Sequence, residues 1–344
     1  MAITIIDVAK EAQVSKSTVS LVINNDPAVR DETRDRVLAA IKKLGYVVNY
    51  NARGLSGKRT HMIGVVFMAE GKSPKSYEFD QETEVFGHDV SIGLPQGLEG
   101  SDYGLMTERY FTESQGKHLP RLAEQNRTDG LILIGGLFSD ALIEELISLH
   151  IPTVIVGKTH PLVDSVCADY QKGVSLGVDH LLATGHRRIG FINCPPLFYS
   201  HPLRRRGWDA AITRLGNSGA SYVVNAETNT GKGGFQAMDR LLATDPELDG
   251  VVTANDGLAL GVERYLLTHS IALPDTISLV SFEDSILSGY AAVPITTVSF
   301  DKEEMGAMAA RLIVKRIEEP HAPPTHLMMD VALNQRSSVL HRGP

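Results

Sequence analysis

Residues 4 to 24, TIIDVAKEAQVSKSTVSLVIN, hold two short helical patterns separated by a tight break at Gln13-Val14. Each pattern opens with its own start signal. Thr4 with Asp7 three residues later fits a capping box, in which the two residues satisfy donors that a first helical turn leaves bare. Ser15 stands directly before the second run, the place for a capping side-chain oxygen. Val8, Ala9 and Ala12, then Val19, Val22 and Ile23, recur at the spacing of two helices that each bury one stripe. Ala9 and Ala12 are small, so the two helices can cross closely. The pattern is a helix-turn-helix, whose second helix enters the major groove of DNA.

A third helix is predicted from Asp31 to Leu44. Val37, Leu38, Ile41 and Leu44 form its apolar stripe, Asp31 and Glu32 suit its N-terminus, and Gly45 is placed to end it. Charge supports the nucleic-acid reading once it is divided. Residues 1 to 60 carry ten Lys and Arg against six Asp and Glu, a net +4, so a chain of formal charge -8 leaves -12 on the remainder. A small basic head on an acidic body fits a DNA reader joined to a sensor. Asn49 to Lys58 is polar and contains Gly, the composition of a linker.

Beyond Met62, apolar strands alternate with helical spacing. Strands are expected at Met62–Met68, Tyr103–Thr107, Gly130–Gly135, Thr153–Val156, Arg188–Asn193, Gly250–Ala254, Ile277–Phe282 and Thr296–Phe300. Helices are expected at Gly173–Thr184, Gly207–Leu215, Gly233–Leu242 and Gly257–Leu267. Such alternation implies parallel sheets in doubly wound layers, and the run is too long for one sheet. The segment Glu70 to Glu84 reads as a long polar loop. Cys167 and Cys194 make no disulfide framework and no metal-ligand spacing, and read as buried strand residues. The first turns carry charge, so no signal peptide is expected, and the longest apolar run, Gly130 to Phe138, is too short to span a bilayer.

The stretch TIIDVAKEAQVSKSTVSLVIN, followed by VRDETRDRVLAAIKKLGYVVNYNARGL, resembles the head and hinge of the lactose-repressor (LacI) family, and the length and order of the remainder are also similar. The resemblance implies an all-α helix-turn-helix head (residues 1–48), a hinge (49–60) and an α/β effector-binding and dimerisation body (61–340). That body is two doubly wound parallel-sheet lobes of the periplasmic sugar-binding type. Three crossovers are placed near His160, Ser285 and Glu319, which gives lobe 1 residues 61–160 and 289–319, and lobe 2 residues 161–288 and 320–340. Two departures stand out. Arg30 replaces the family's usual capping Ser before the third helix, and Gly54 replaces a better helix former in the hinge, at a cost of about 0.5–1 kcal/mol relative to Ala.

The resemblance sets Thr4, Ser15, Lys16, Ser17, Thr18, Ser20, Leu21, Asn24, Tyr46 and Asn49 against DNA, together with Ala52, Arg53 and Leu55 of the hinge. Lys16 and Ser17 open the second helix, where side chains reach base edges. Lys pairs with guanine acceptors, and Leu21, one turn on, makes only apolar contact; a simple phosphate contact by Lys16 and Ser17 is the alternative. Ala52 faces its dimer mate and Leu55 is the apolar wedge of a minor-groove step, or else an ordinary anchor onto the body.

For the cleft between lobes, the resemblance implies effector contacts at Phe86, Lys158, Asp169, Arg204, Trp208, Asp256 and Phe282. Arg204, in Arg204-Arg205-Arg206-Gly207-Trp208, supplies a rigid fork of donors; three arginines are otherwise a solvated face. Asp256 supplies acceptor lone pairs, or with Asn255 a helix cap. Trp208 is either a stacking platform or core. Gly87 departs from the family's second aromatic. Gly231-Lys232-Gly233-Gly234 lacks the upstream Gly and following Ser/Thr of a phosphate loop and reads as a loop into a helix.

The expectation is a cytoplasmic transcription regulator, read as a repressor, that binds double-stranded operator DNA as a homodimer. It needs no cofactor or metal, and a small carbohydrate-like effector controls it. A sugar-binding transport protein is the alternative, opposed by the head. An enzyme has no support, since no G-x-S-x-G or other nucleophile context appears.

Overall fold

The structure is a computed structural model that describes residues 3–23, 26–46, 59–69, 81–213 and 220–343. It divides into two compact units, Met1–Thr60 and His61–Pro344. The first is built from α1 (Ile5–Glu11), α2 (Lys16–Ile23) and α3 (Asp31–Leu44). Asp7 Oδ2 takes the Thr4 N–H at 2.8 Å and its hydroxyl at 2.7 Å, which starts α1. The turn to α2 passes through Gln13 with φ 51°, and Ser15 Oγ accepts the Thr18 N–H at 3.0 Å. No side chain caps α3 at Arg30, while Gly45 ends it in the left-handed region at φ 62°, where a residue without Cβ is unstrained. Val8, Ala9, Ala12, Val19, Val22, Val37 and Ala40 form the core of this unit. Leu38 is a correction to the expected stripe: it is 49% exposed, because Ala40 and Ile41 turn toward α1 and α2 in its stead.

The second unit runs β1 (Met62–Ala69), α4 (Gln81–Gly97), β2 (Gly104–Phe111), α5 (Arg121–Glu124), β3 (Gly130–Ile134), α6 (Asp140–Ser148), β4 (Thr153–Val156), β5 (Asp164–Ala168) and α7 (Tyr170–Ala183). It continues β6 (Arg188–Asn193), α8 (His201–Ile212), β7 (Ala220–Asn225), α9 (Gly231–Thr244), β8 (Gly250–Thr253), α10 (Asp256–Thr268) and β9 (Ser278–Phe282). It closes with α11 (Ile286–Gly289), β10 (Thr296–Ser299), α12 (Lys302–Glu318), β11 (His326–Met329) and β12 (Ala332–Asn334). Two sheets result, ordered β11-β5-β4-β3-β1-β2 and β12-β10-β9-β8-β6-β7. All pairings are parallel except β10 with β12. Strands such as β3 and β4 are buried on both faces, which is why their sequences GLILI and TVIV do not alternate.

The crossovers differ from the expected ones. The chain leaves the first sheet after β5 at Asp169, returns at Phe300-Asp301 into α12, and crosses finally through Asp330-Val331 between β11 and β12. Thus Thr296–Ser299, expected in the first lobe, belongs to the second sheet. Asp164–Ala168 and His326–Met329, expected in the second lobe, belong to the first sheet. Periodicity identifies a strand but not its partner, and pairing alone decides the lobe. Gln81–Gly97 also takes the end of the segment expected as a loop; most of that loop lies outside the described residues.

Candidate functional site

Two surfaces carry chemistry. On the first unit, α2 turns Val19 and Val22 into the core and leaves Lys16, Ser17 and Leu21 exposed, the last at 40%. Ser20 is half-buried. Thr4, Ser15 and Thr18 serve the helix starts, with the Ser15 and Thr18 hydroxyls 2.8 Å apart, and Tyr46 packs against the core. Asn24, Asn49, Ala52, Arg53 and Leu55 lie outside the described residues.

On the second unit, the carboxyl ends of the strands from both sheets converge on a small cavity. Such strand ends are where doubly wound sheets bind ligands. Met68 from the end of β1, Phe86 from α4, Leu137 after β3, Tyr170 at the start of α7 and Phe198 before α8 supply the apolar wall. Ser200, Arg204, Asn229 and Glu283 supply polar groups.

Arg204 is the centre of it. Its guanidinium lies 4.8 Å from the Tyr170 ring and 5.0 Å from the Phe282 ring, a desolvated cation between two π faces. Nη1 donates to Ser200 Oγ at 2.8 Å and to Cys194 Sγ at 3.8 Å. Nη2 is 3.6 Å from Glu283 Oε1, an ion pair beyond hydrogen-bond range. Nε and Nη2 make no hydrogen bond, and neither does the side-chain oxygen Oδ1 of Asn229, though all three are buried. Buried polar groups are ordinarily paired, so these atoms stand out in residues that line the cavity. Tyr170 donates to Gly157 O at 3.2 Å, and burial holds its phenol well above its ordinary pKa, hence protonated.

The other expected effector residues sit elsewhere. Lys158 donates to Phe138 O at 2.7 Å and pairs with Asp140 at 2.6 Å; that hydrogen bond holds the Asp140 carboxyl below the usual range. Asp169 caps α7 by accepting the Lys172 N–H at 2.9 Å. Trp208 is 2% exposed and stacks on Phe191 at 5.3 Å, so it is core rather than a platform for ligand. Asp256 is fully buried and is not among the cavity-lining residues; it accepts from Ser285 N at 2.6 Å and Thr297 Oγ1 at 3.2 Å, and burial raises its pKa. Phe282 lies under Arg204 rather than on the cavity lining. Gly233 and Gly234 fit closely against the backbone of Thr228 and Leu258 at the start of α9.

Besides Ser200, at the N-cap of α8, the polar cavity residues that motif reading missed are Glu283 and Asn229. Both lie in loops, at the ends of strands, with no periodicity to mark them. The turn at Glu283 is unusual: Glu283 has φ 104° and Asp284 φ 51°. Two successive non-glycine residues in that region cost on the order of 1–3 kcal/mol each.

Residues 4–49 match the family model for bacterial regulatory proteins, lacI family, and residues 178–339 match that of a periplasmic binding protein-like domain. The ribose operon repressor of Escherichia coli (strain K12) is 30% identical over 353 residues, covering 97% of this chain and 99% of the repressor. The chain belongs to the LacI family. The solved complex of the transcriptional regulator CelR with cellobiose superposes with a TM-score of 0.71 at 27% identity, over 98% of this chain and 99% of that one. The lac repressor dimer bound to operator and the anti-inducer ONPF has a TM-score of 0.81 at 24% identity, over 99% and 100%, a likeness of fold. As a LacI-family protein, the chain is a DNA-binding transcriptional regulator. Among the described residues, no helix is long and apolar enough to cross a membrane.

Proposed function

We propose that this regulator represses transcription in the cytoplasm by binding a pseudo-palindromic operator as a homodimer, under control of a neutral carbohydrate-like effector in the cleft. The observation that carries the effector class is the set of buried, unpaired polar atoms on Arg204 and Asn229 within an aromatic wall. A polyhydroxylated ring presents both donors and acceptors with apolar faces, which matches that set. The Glu283 carboxylate beside Arg204 balances its charge, so a neutral ligand leaves no net charge buried. The relatives support the reading: one is named for the ribose operon, and another was solved with cellobiose.

A thermal-melting screen of sugars and sugar phosphates tests the effector class. A ligand at a hundred times its Kd stabilises the folded state by about 2.7 kcal/mol and raises Tm. No shift with any sugar removes the carbohydrate reading. Gel shifts at rising salt test the operator reading, because phosphate contacts make affinity fall steeply with salt. For the hinge, Leu55→Ala is expected to weaken specific binding and reduce DNA bending with non-specific binding nearly unchanged, while Gly54→Ala tightens operator binding by pre-organisation. Unaltered bending by Leu55→Ala, or weaker binding by Gly54→Ala, would sink the hinge wedge.

A further inference from the structure

Lys302 opens α12 directly after the second crossover and is 7% exposed. Its ammonium donates to Glu283 O at 2.6 Å and to Asp284 O at 3.3 Å, and lies 3.2 Å from Asp89 Oδ2 on α4. Two of these partners belong to the second lobe and one to the first. The two carbonyls are those of the left-handed turn after β9. Its far side is held by Arg336 Nη2, which donates to Asp284 Oδ1 at 2.6 Å, and by Asn334 Nδ2, which donates to Oδ2 at 3.0 Å. A non-glycine pair stays in that conformation only where its surroundings over-determine it. The result of the turn is that the Glu283 carboxylate faces Arg204 in the cavity.

We propose that Lys302 is a positioning residue of the cleft. By gathering two carbonyls it sets Glu283 against Arg204, and through Asp89 it ties that setting to the first lobe. The inference rests on the cleft being the effector site. A ligand that takes up the open N–H groups of Arg204 competes with Glu283, which strains the turn, and Lys302 passes the change to α4 and α12. This is a differential contact between two arrangements, the form that coupling between lobes requires.

The test uses the full chain with Lys302→Met, which keeps length and removes the donors, and Lys302→Arg, which keeps donors. Without sugar, crystal structures and amide exchange are compared. Lys302→Met is expected to relax Glu283 or Asp284 to negative φ, to part Glu283 from Arg204, and to speed exchange at residues 283–285 by about tenfold. Lys302→Arg is expected to restore the slow exchange, which a merely space-filling role does not explain. Retention of both φ values, the ion pair and slow exchange in Lys302→Met overturns the proposal. Should Lys302→Met not fold, Asp89→Asn decides: faster exchange in α4 with the turn intact supports the tie, and unchanged α4 exchange overturns it. In a binding arm, cellobiose and ribose are titrated against Trp208 fluorescence. Binding weakened about tenfold or more by Lys302→Met and kept by Lys302→Arg supports positioning, and equal binding by all three proteins overturns it. If neither sugar binds the parent chain and the melting screen is also blank, the carbohydrate reading fails, while the geometry and exchange arm still decides Lys302.

Discussion

Asp256 and His186 show how a buried polar side chain acts through its partners. Asp256 satisfies Ser285 N and Thr297 Oγ1. Asp256→Ala leaves both unpaired, at about 1–3 kcal/mol each. Its expected effect is therefore a lower urea midpoint, with effector affinity changed less than in Arg204→Ala; equal stability to the parent chain would contradict this. His186 is buried with Nδ1 3.0 Å from Leu181 O and no partner on Nε2, the pattern of a neutral ring that donates from Nδ1. Burial lowers its pKa from the ordinary 6.5, and burial with the nearby His341 lowers that of His180. The unfolded chain takes up these protons first, so their contribution is present above pH 6.5 and lost as pH falls below it. Tm is expected to drop between about pH 7 and pH 5, with a shallower drop in His186→Asn, which keeps a donor at the Nδ1 position. An identical slope would remove His186 from the account.

At the scale of elements, two helix contacts matter. α4 and α12 cross so closely that a Cβ at Gly93 would overlap the Glu303 carbonyl, and one at Gly306 the Val90 carbonyl. Gly306→Ala gains about 1 kcal/mol of helix propensity, yet must push the helices apart, an overpacking cost of about 1–3 kcal/mol or more. The expected net effect is destabilisation, read as a lower urea midpoint; a higher midpoint would mean that the pair separates freely. On the head, α2 is a short helix whose packing face uses Val19 and Val22, which leaves Lys16 free at the surface. Lys16→Ala is expected to cost about 1–3 kcal/mol on the best operator and to relax preference at one base pair per half-site. A loss uniform over all sequences would make Lys16 a phosphate contact.

For the whole molecule, three chain crossings join two sheets whose strand ends share one cavity. Arg204 reaches it from α8 of the second lobe, and Phe86 reaches it from α4 of the first. Ligand contact with both lobes favours one lobe arrangement over another. Arg204→Ala is expected to abolish the effector's melting shift and its effect on operator binding while leaving operator affinity itself intact, checked by melting curves and gel shifts on the same preparation. A retained response at normal effector concentration would move the effector site away from Arg204.

Local physics accounts for what was legible in the sequence. Caps at Thr4 and Ser15, the left-handed Gly45 and the stripes of α1 and α2 depend on residues within a few positions of one another, so the head could be read directly. Apolar runs likewise revealed most strands of the body, and Arg204, which lines the cavity, stood out because its segment resembles a family pattern. Less regular strands, such as Asp164–Ala168 and Ala220–Asn225, gave no periodic signal. Tertiary structure decided the rest. Sheet membership follows from pairing between strands distant in the chain, as when His326–Met329 pairs with Asp164–Ala168. The cavity polar set joins Arg204 from helix α8 with Asn229 and Glu283 from two separate loops, and whether an acidic side chain lines it or is consumed by the scaffold, as Asp256 is, depends on partners that only the folded chain brings within hydrogen-bond reach.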